Sequence, residues 1–147
     1  MTKAYLTPVP VIVATTSIDD TTFEIQATPE LQAYVLDFMC QDIFNKNLAA
    51  GWWDQGDNPL VVPTKLMLIV SELAESMEGH RKSLKDDKLP DEDMLGVELA
   101  DVLIRVFDLC GFLGIDVGTL LLKKAAFNAT RADHKPENRK SQNGKKY

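Results

Sequence analysis

The chain has 147 residues, 45% hydrophobic and 26% charged, with a formal net charge of −6, enough length for one domain with a real core. Its acidic body argues against nucleic acid as the main partner, and no apolar run approaches the roughly 18 residues of a transmembrane helix. Cys40 and Cys110 lie inside apolar patterns without Cys-x-x-Cys spacing, which fits free thiols in a reducing cytoplasm better than a disulfide or zinc site.

Residues 1 to 27 read as an extended segment. Pro8 and Pro10 break helix, and Val11, Ile12, Val13, Thr15 and Thr16 favour strand or polyproline conformation. The stretch Val9 to Ala14 is too short for a signal-peptide core. A lone strand is unstable, so this segment is expected to pack on the body or on a partner chain. Thr28-Pro29-Glu30 is a helix start, with Thr as N-cap, Pro at the first helical position and an acid in the first turn. Gly51 is the matching stop. A loop with Trp52, Trp53, Gly56, Asp57 and Pro59 comes next, and Pro63 opens a second helix that runs to Lys82. A third helix is expected from Asp91 to Gly111, and a fourth from the N-cap Asp116 to near Arg131. Residues 131 to 147 carry 6 Lys/Arg against 2 Asp/Glu, a net +4, whereas residues 1 to 130 carry 10 against 20, a net −10. The predicted fold is an all-α four-helix bundle over 28–132, between an extended segment (1–27) and a flexible basic tail (133–147). That tail is either a solvated end or a flap over an anionic ligand.

The third helix carries the chemistry. From Met94 to Leu113 it reads MLGVELADVLIRVFDLCGFL, apolar except for Glu98, Asp101, Arg105 and Asp108. Their spacing of i, i+3, i+7, i+10 puts all four on one stripe. A helix apolar almost all round is expected to be mostly buried, and buried charges are costly unless paired or metal-bound. The second helix repeats the device, with Glu72 and Glu75 on the same stripe as Lys65, Gly79 and Lys82. Antiparallel packing of the two helices gathers Glu72, Glu75, Glu98 and Asp101. Four carboxylates without a soft ligand suit Mg²⁺, with Mn²⁺ as substitute. A di-iron bundle needs Glu-x-x-His, but Met77 and Arg131 stand three residues before His80 and His134.

Lys124, Asn128 and Arg131 share one stripe of the fourth helix and form a phosphate-binding pattern as well as an ordinary surface one. Of the adjacent Trp52 and Trp53, one is expected to cap the core and the other to be free to stack on a flat ligand such as a nucleobase. Arg105 and Asp108 can pair with each other or with other seam residues.

Together these residues resemble the MazG-like all-α nucleoside triphosphate pyrophosphohydrolases, a superfamily that includes dimeric dUTPases and dCTP pyrophosphatases. The pattern there is Glu-Glu-x-x-Glu, a spacer, Glu-x-x-Asp, then a helix bearing Lys, Asn and Arg. Here it stands as SELAE (71–75), VELADVLIRVFD (97–108) and KAAFNATR (124–131), within a stretch from Leu31 to Arg131. The GWW loop also looks like that of small phage and bacterial members. Ser71 departs from the pattern, replacing its first Glu. The resemblance implies hydrolysis of nucleoside or deoxynucleoside triphosphates to the monophosphate and pyrophosphate. It places Mg²⁺ on Glu72, Glu75, Glu98 and Asp101, with Glu75 or Glu72 orienting the water. Lys124, Asn128, Arg131, Arg105, Trp53 and Trp52 become substrate contacts, and the assembly a homodimer or homotetramer. The rival expectation is a non-catalytic nucleotide-sensing or regulatory module with a degenerate site, which Ser71 favours.

Overall fold

The computed structural model describes residues 12–18, 21–26, 28–54 and 58–140. The expectations for residues 1–11, for Gly56 and Asp57 in the loop, and for the tail from 141 on lie outside the described residues. The fold is all-α in class, with four long helices: α1 (Pro29–Ala49), α2 (Val61–Lys82), α3 (Met94–Leu113) and α4 (Val117–Thr130). Ahead of them β1 (Ile12–Ile18) and β2 (Thr21–Gln26) pair antiparallel, Thr15 opposite Glu24, with a register shift between Ile12 and Ala14. The lone strand expected there is thus one arm of a hairpin. The second arm, TTFEIQ, carries its own strand signal, Phe23 and Ile25 alternating with Thr22, Glu24 and Gln26. In place of the flexible tail expected from residue 133, the chain forms a 3-10 turn (Ala132–His134) and a short helix α5 (Pro136–Arg139). Pro136 at the first helical position starts that turn.

The helix boundaries reflect their local chemistry. Thr28 Oγ1 accepts from Leu31 N at 3.2 Å, as an N-cap should. Gly51 closes the first helix at φ +82°, in the left-handed region. The second helix begins two residues before Pro63, at Val61. Its third position tolerates proline because the first N–H groups of a helix have no partner within it. The third helix begins at Met94 rather than Asp91 and passes through Gly111 to end at Gly114, φ +63°. Gly111 serves packing instead: a Cβ there would lie 2.6 Å from Cys40 O. Cys40 and Cys110 are free thiols brought into contact across that approach. Burial first, then Cys110, pushes the Cys40 thiol up to about 11.

The chain divides into two compact units. One is Leu36–Val117; the other combines Met1–Val35 with Gly118–Tyr147. Within the second, Gly118 at the start of α4 lies so close to Ala33 that a Cβ would clash with Ala33 O. Within the first, α2 and α3 make the dominant pairing. No described helix is long and apolar enough to cross a membrane.

Candidate metal and anion site

The α2–α3 pairing is antiparallel, and three contacts in reverse order demonstrate it. Lys65 Nζ reaches Asp108 Oδ2 at 3.3 Å, Arg105 Nη2 reaches Glu72 Oε1 at 2.6 Å, and Gly79 abuts Met94, where a Cβ would stand 2.9 Å from Met94 Cβ. The connection is held short by Asp86, whose buried carboxylate accepts from Lys88 N at 2.9 Å and Leu89 N at 2.7 Å. The polar stripe of each helix is thereby turned inward. The buried residues of α3 are Glu98, Asp108 and Leu109. Those of α2 are Val61, Glu72, Ser76 and Gly79. The expectation that α3 is mostly buried is overturned. Leu95, Leu99, Leu103, Ile104, Phe112 and Leu113 are exposed, because α2 along the seam and α1 at the Gly111 end do not cover an apolar surface that runs nearly all round.

Glu72, Glu98 and Asp101 each offer an oxygen, and these atoms lie within 4.8 Å of one another. Oxygens on one Mg²⁺ stand about 3 Å apart when cis and about 4.2 Å apart when trans, so the trio would have to draw together to share an ion. Glu98 is 7% exposed. Burial, then a hydrogen bond with Glu72, then the charges of Glu75, Glu72 and Asp101 push its carboxyl up to about 7. Three buried or half-buried acids in one seam repel one another; the proton held by Glu98 and the Arg105 guanidinium on Glu72 relieve part of that repulsion, and a bound cation would relieve more. The donor set is all carboxylate, which fits a hard divalent ion. Glu75 is exposed, outside the trio but near enough for its charge to act on Glu98.

Beyond the trio the seam opens into a cavity of about 340 Å³. Asn47, Trp52, Lys65, Asp101, Arg105 and Asp108 line it, with Leu68 and Ile104 as its apolar part. Asp101 therefore belongs to both trio and cavity. The two tryptophans divide their roles. Trp53 stacks on Phe112 at 4.1 Å between centroids and meets Phe44 edge-on at 5.7 Å. Its Nε1 donates to Asp108 Oδ1 at 2.9 Å, and Lys65 Nζ lies 4.1 Å from the ring centroid. Trp52 is 65% exposed and faces the cavity. Arg105 and Asp108 do not pair with each other; each takes a partner from elsewhere. Lys65 and Asn47 are site residues that spacing alone does not single out as ligand contacts. Lys65 shares the Glu72 stripe, which is the signal that points to it. Asn47 has none, since it sits near the end of an unremarkable helix.

Lys124, Asn128 and Arg131 belong to the other unit. Arg131 is engaged locally, its Nε and Nη2 both donating to Asp133, at 2.9 and 2.5 Å. Lys124 Nζ lies 5.0 Å from the Phe127 ring centroid. Asn128 Oδ1 is buried without a hydrogen-bond partner.

No protein-family model, curated protein or solved structure matches this chain.

Proposed function

We propose that the chain is a Mg²⁺-dependent nucleoside triphosphate pyrophosphohydrolase, with Mn²⁺ able to substitute. The observation that carries this reading is the sharing of Asp101 between a carboxylate trio and a cavity that also holds two cations and an exposed indole. A divalent cation bound there would screen the phosphates and lower the pKa of a water. Lys65 and Arg105 are the groups of this unit suited to phosphate oxygens, Arg105 through its planar fork. Trp52 presents an open face for a base. Glu75, exposed one turn from Glu72, is suited to orient the attacking water and take its proton. Attack at the α-phosphorus releases the monophosphate and pyrophosphate.

A homo-oligomer is part of the proposal. Leu66, Val70, Leu73 and Met77 form an exposed apolar row on α2, spaced for one helix face. The second reading is a non-catalytic nucleotide-sensing module. Ser71 supports it, since its hydroxyl donates to Leu68 O at 2.7 Å and brings no carboxylate to the seam.

Incubation of the purified chain with Mg²⁺ and each of eight ribo- and deoxynucleoside triphosphates tests the proposal. Monophosphate and pyrophosphate should form, and Glu98→Gln should abolish both. Tight nucleotide binding without turnover would favour the sensing module.

A further inference from the structure

Arg105 is half-satisfied. Its Nη2 donates to Glu72 Oε1 at 2.6 Å, while its Nε is buried with no hydrogen-bond partner. These two nitrogens form one edge of the guanidinium, and that edge is built to grip two oxygens at once. Arg131 shows the full use of the same edge, with Nε and Nη2 both on the Asp133 carboxylate. Glu72 gives Arg105 only one of the two bonds, and a buried donor left idle is costly. The side chain, 38% exposed, also lines the cavity shared with Lys65 and Trp52, and turned away from Glu72 it could offer both donors to an oxyanion there.

The position of Glu72 makes the contact consequential. It is one of the three residues able to hold a cation. A divalent ion and a guanidinium on one carboxylate repel each other; the Glu72 side chain is 8% exposed and that of Arg105 38%, so water screens that repulsion only in part. We propose that Arg105 is a movable counter-ion. It holds Glu72 while the trio lacks a cation. It transfers to a phosphoryl oxygen in the cavity when a divalent ion takes Glu72. This rests on the metal and phosphate reading of the site and adds its internal regulation. Arg105 is then a positioning residue that links two ligands. Metal binding frees the guanidinium for the anion, the anion draws it away from Glu72, and each ligand tightens the other by one common factor.

Calorimetric titration of the full chain with Mg²⁺, with and without inorganic phosphate, tests this in the wild type and in Arg105→Ala. The variant should bind Mg²⁺ tighter, by roughly 5- to 100-fold for a coupling of ordinary size. Phosphate should tighten Mg²⁺ binding several-fold in the wild type and leave the variant unchanged. Equal or weaker Mg²⁺ binding by the variant overturns the proposal, because the guanidinium would then be a fixed support for Glu72. So does an equal effect of phosphate on both chains. If neither chain binds Mg²⁺, the metal reading falls and this proposal with it. A wild type that binds normally beside an indifferent variant removes only Arg105. Should Arg105→Ala fail to fold, ¹⁵N spectra of the wild-type arginine side chains decide the matter. The Arg105 Nε–H resonance should move on Mg²⁺ saturation and again with phosphate, and a resonance indifferent to Mg²⁺ overturns the proposal.

Discussion

Trp53 Nε1 donates to Asp108 Oδ1 at 2.9 Å, tying the loop after α1 to the far end of the α3 seam. This bond separates two neighbouring tryptophans into an anchor and an open face. Trp53 fills the space between Phe44 and Phe112, so Trp53→Ala removes a large ring, an aromatic stack and a donor to a buried acid. It should destabilise the chain by about 3 kcal/mol. Trp52→Ala should leave stability within about 0.5 kcal/mol, as expected of a surface position, and weaken nucleotide binding. Urea denaturation of both variants beside a nucleotide titration tests the division. Equal losses of stability would mean that Trp52 also packs.

Glu98 links the site to pH. Its carboxyl is held at about 7 against an ordinary 4.5, by burial first and its acidic neighbours next. Between those values the folded metal-free chain holds a proton that the unfolded chain has released. The native state then binds more protons, so stability is fully present below about 4.5 and is lost as pH rises through 7. The loss has an upper bound of about 3 kcal/mol. Metal-free protein should therefore melt higher at pH 5 than at pH 8. Glu98→Gln should flatten that profile and raise the melting temperature at pH 8, and Mg²⁺ should restore the wild type there. Calorimetry without metal reads all three. A wild type and variant with parallel pH profiles would remove Glu98 from the coupled cluster. Glu98→Gln and Asp101→Asn should also lose turnover while remaining folded.

The seam was legible because its physics is local. Four polar residues at i, i+3, i+7, i+10 in an apolar helix have few explanations, and the same spacing on α2 named the facing stripe. Antiparallel pairing is then implied by the short Lys85–Pro90 connection. What stayed hidden depends on partners. Periodicity places Arg105 on the seam but cannot choose between Glu72 and Asp108 as its mate. Nor can it tell which indole turns inward, since Trp52 and Trp53 have the same composition and nearly the same position. Asn47 reaches the cavity only through the way α1 is set beside α3. The burial expected for α3 failed because hydrophobicity reports what prefers to be covered, not what a single chain has available to cover it.

That shortfall of cover predicts assembly. Leu66, Met67, Val70, Leu73 and Met77 on α2 are all exposed in the single chain, as are Leu99 and Leu103 on α3. Surfaces of this kind are rare on stable monomers and common at symmetric interfaces. Light scattering at micromolar concentration should give a dimer or tetramer of the 16.4 kDa chain. Val70→Glu should shift it toward monomer and lower its melting temperature. A wild type that stays monomeric would leave this apolar face unexplained.

Lys65 and Asp108 form the most enclosed ion pair described, with side chains 14% and 5% exposed. The pair has a second duty, because Asp108 also orients Trp53 and Lys65 also lines the cavity. Buried pairs contribute little net stability, yet breaking one side is costly because the remaining charge keeps its desolvation penalty. Lys65→Met should therefore destabilise by about 3 kcal/mol, since Asp108 is left with the indole N–H as its remaining donor. Asp108→Asn should cost less. Its amide oxygen still accepts from Trp53, and Lys65 can turn toward the open cavity. Combined, the two changes remove both charges and should recover most of the loss seen in Lys65→Met alone. Denaturation of the two single variants and the double closes the cycle. Effects that add to within about 0.5 kcal/mol would show that the two groups are not energetically coupled, despite their 3.3 Å separation.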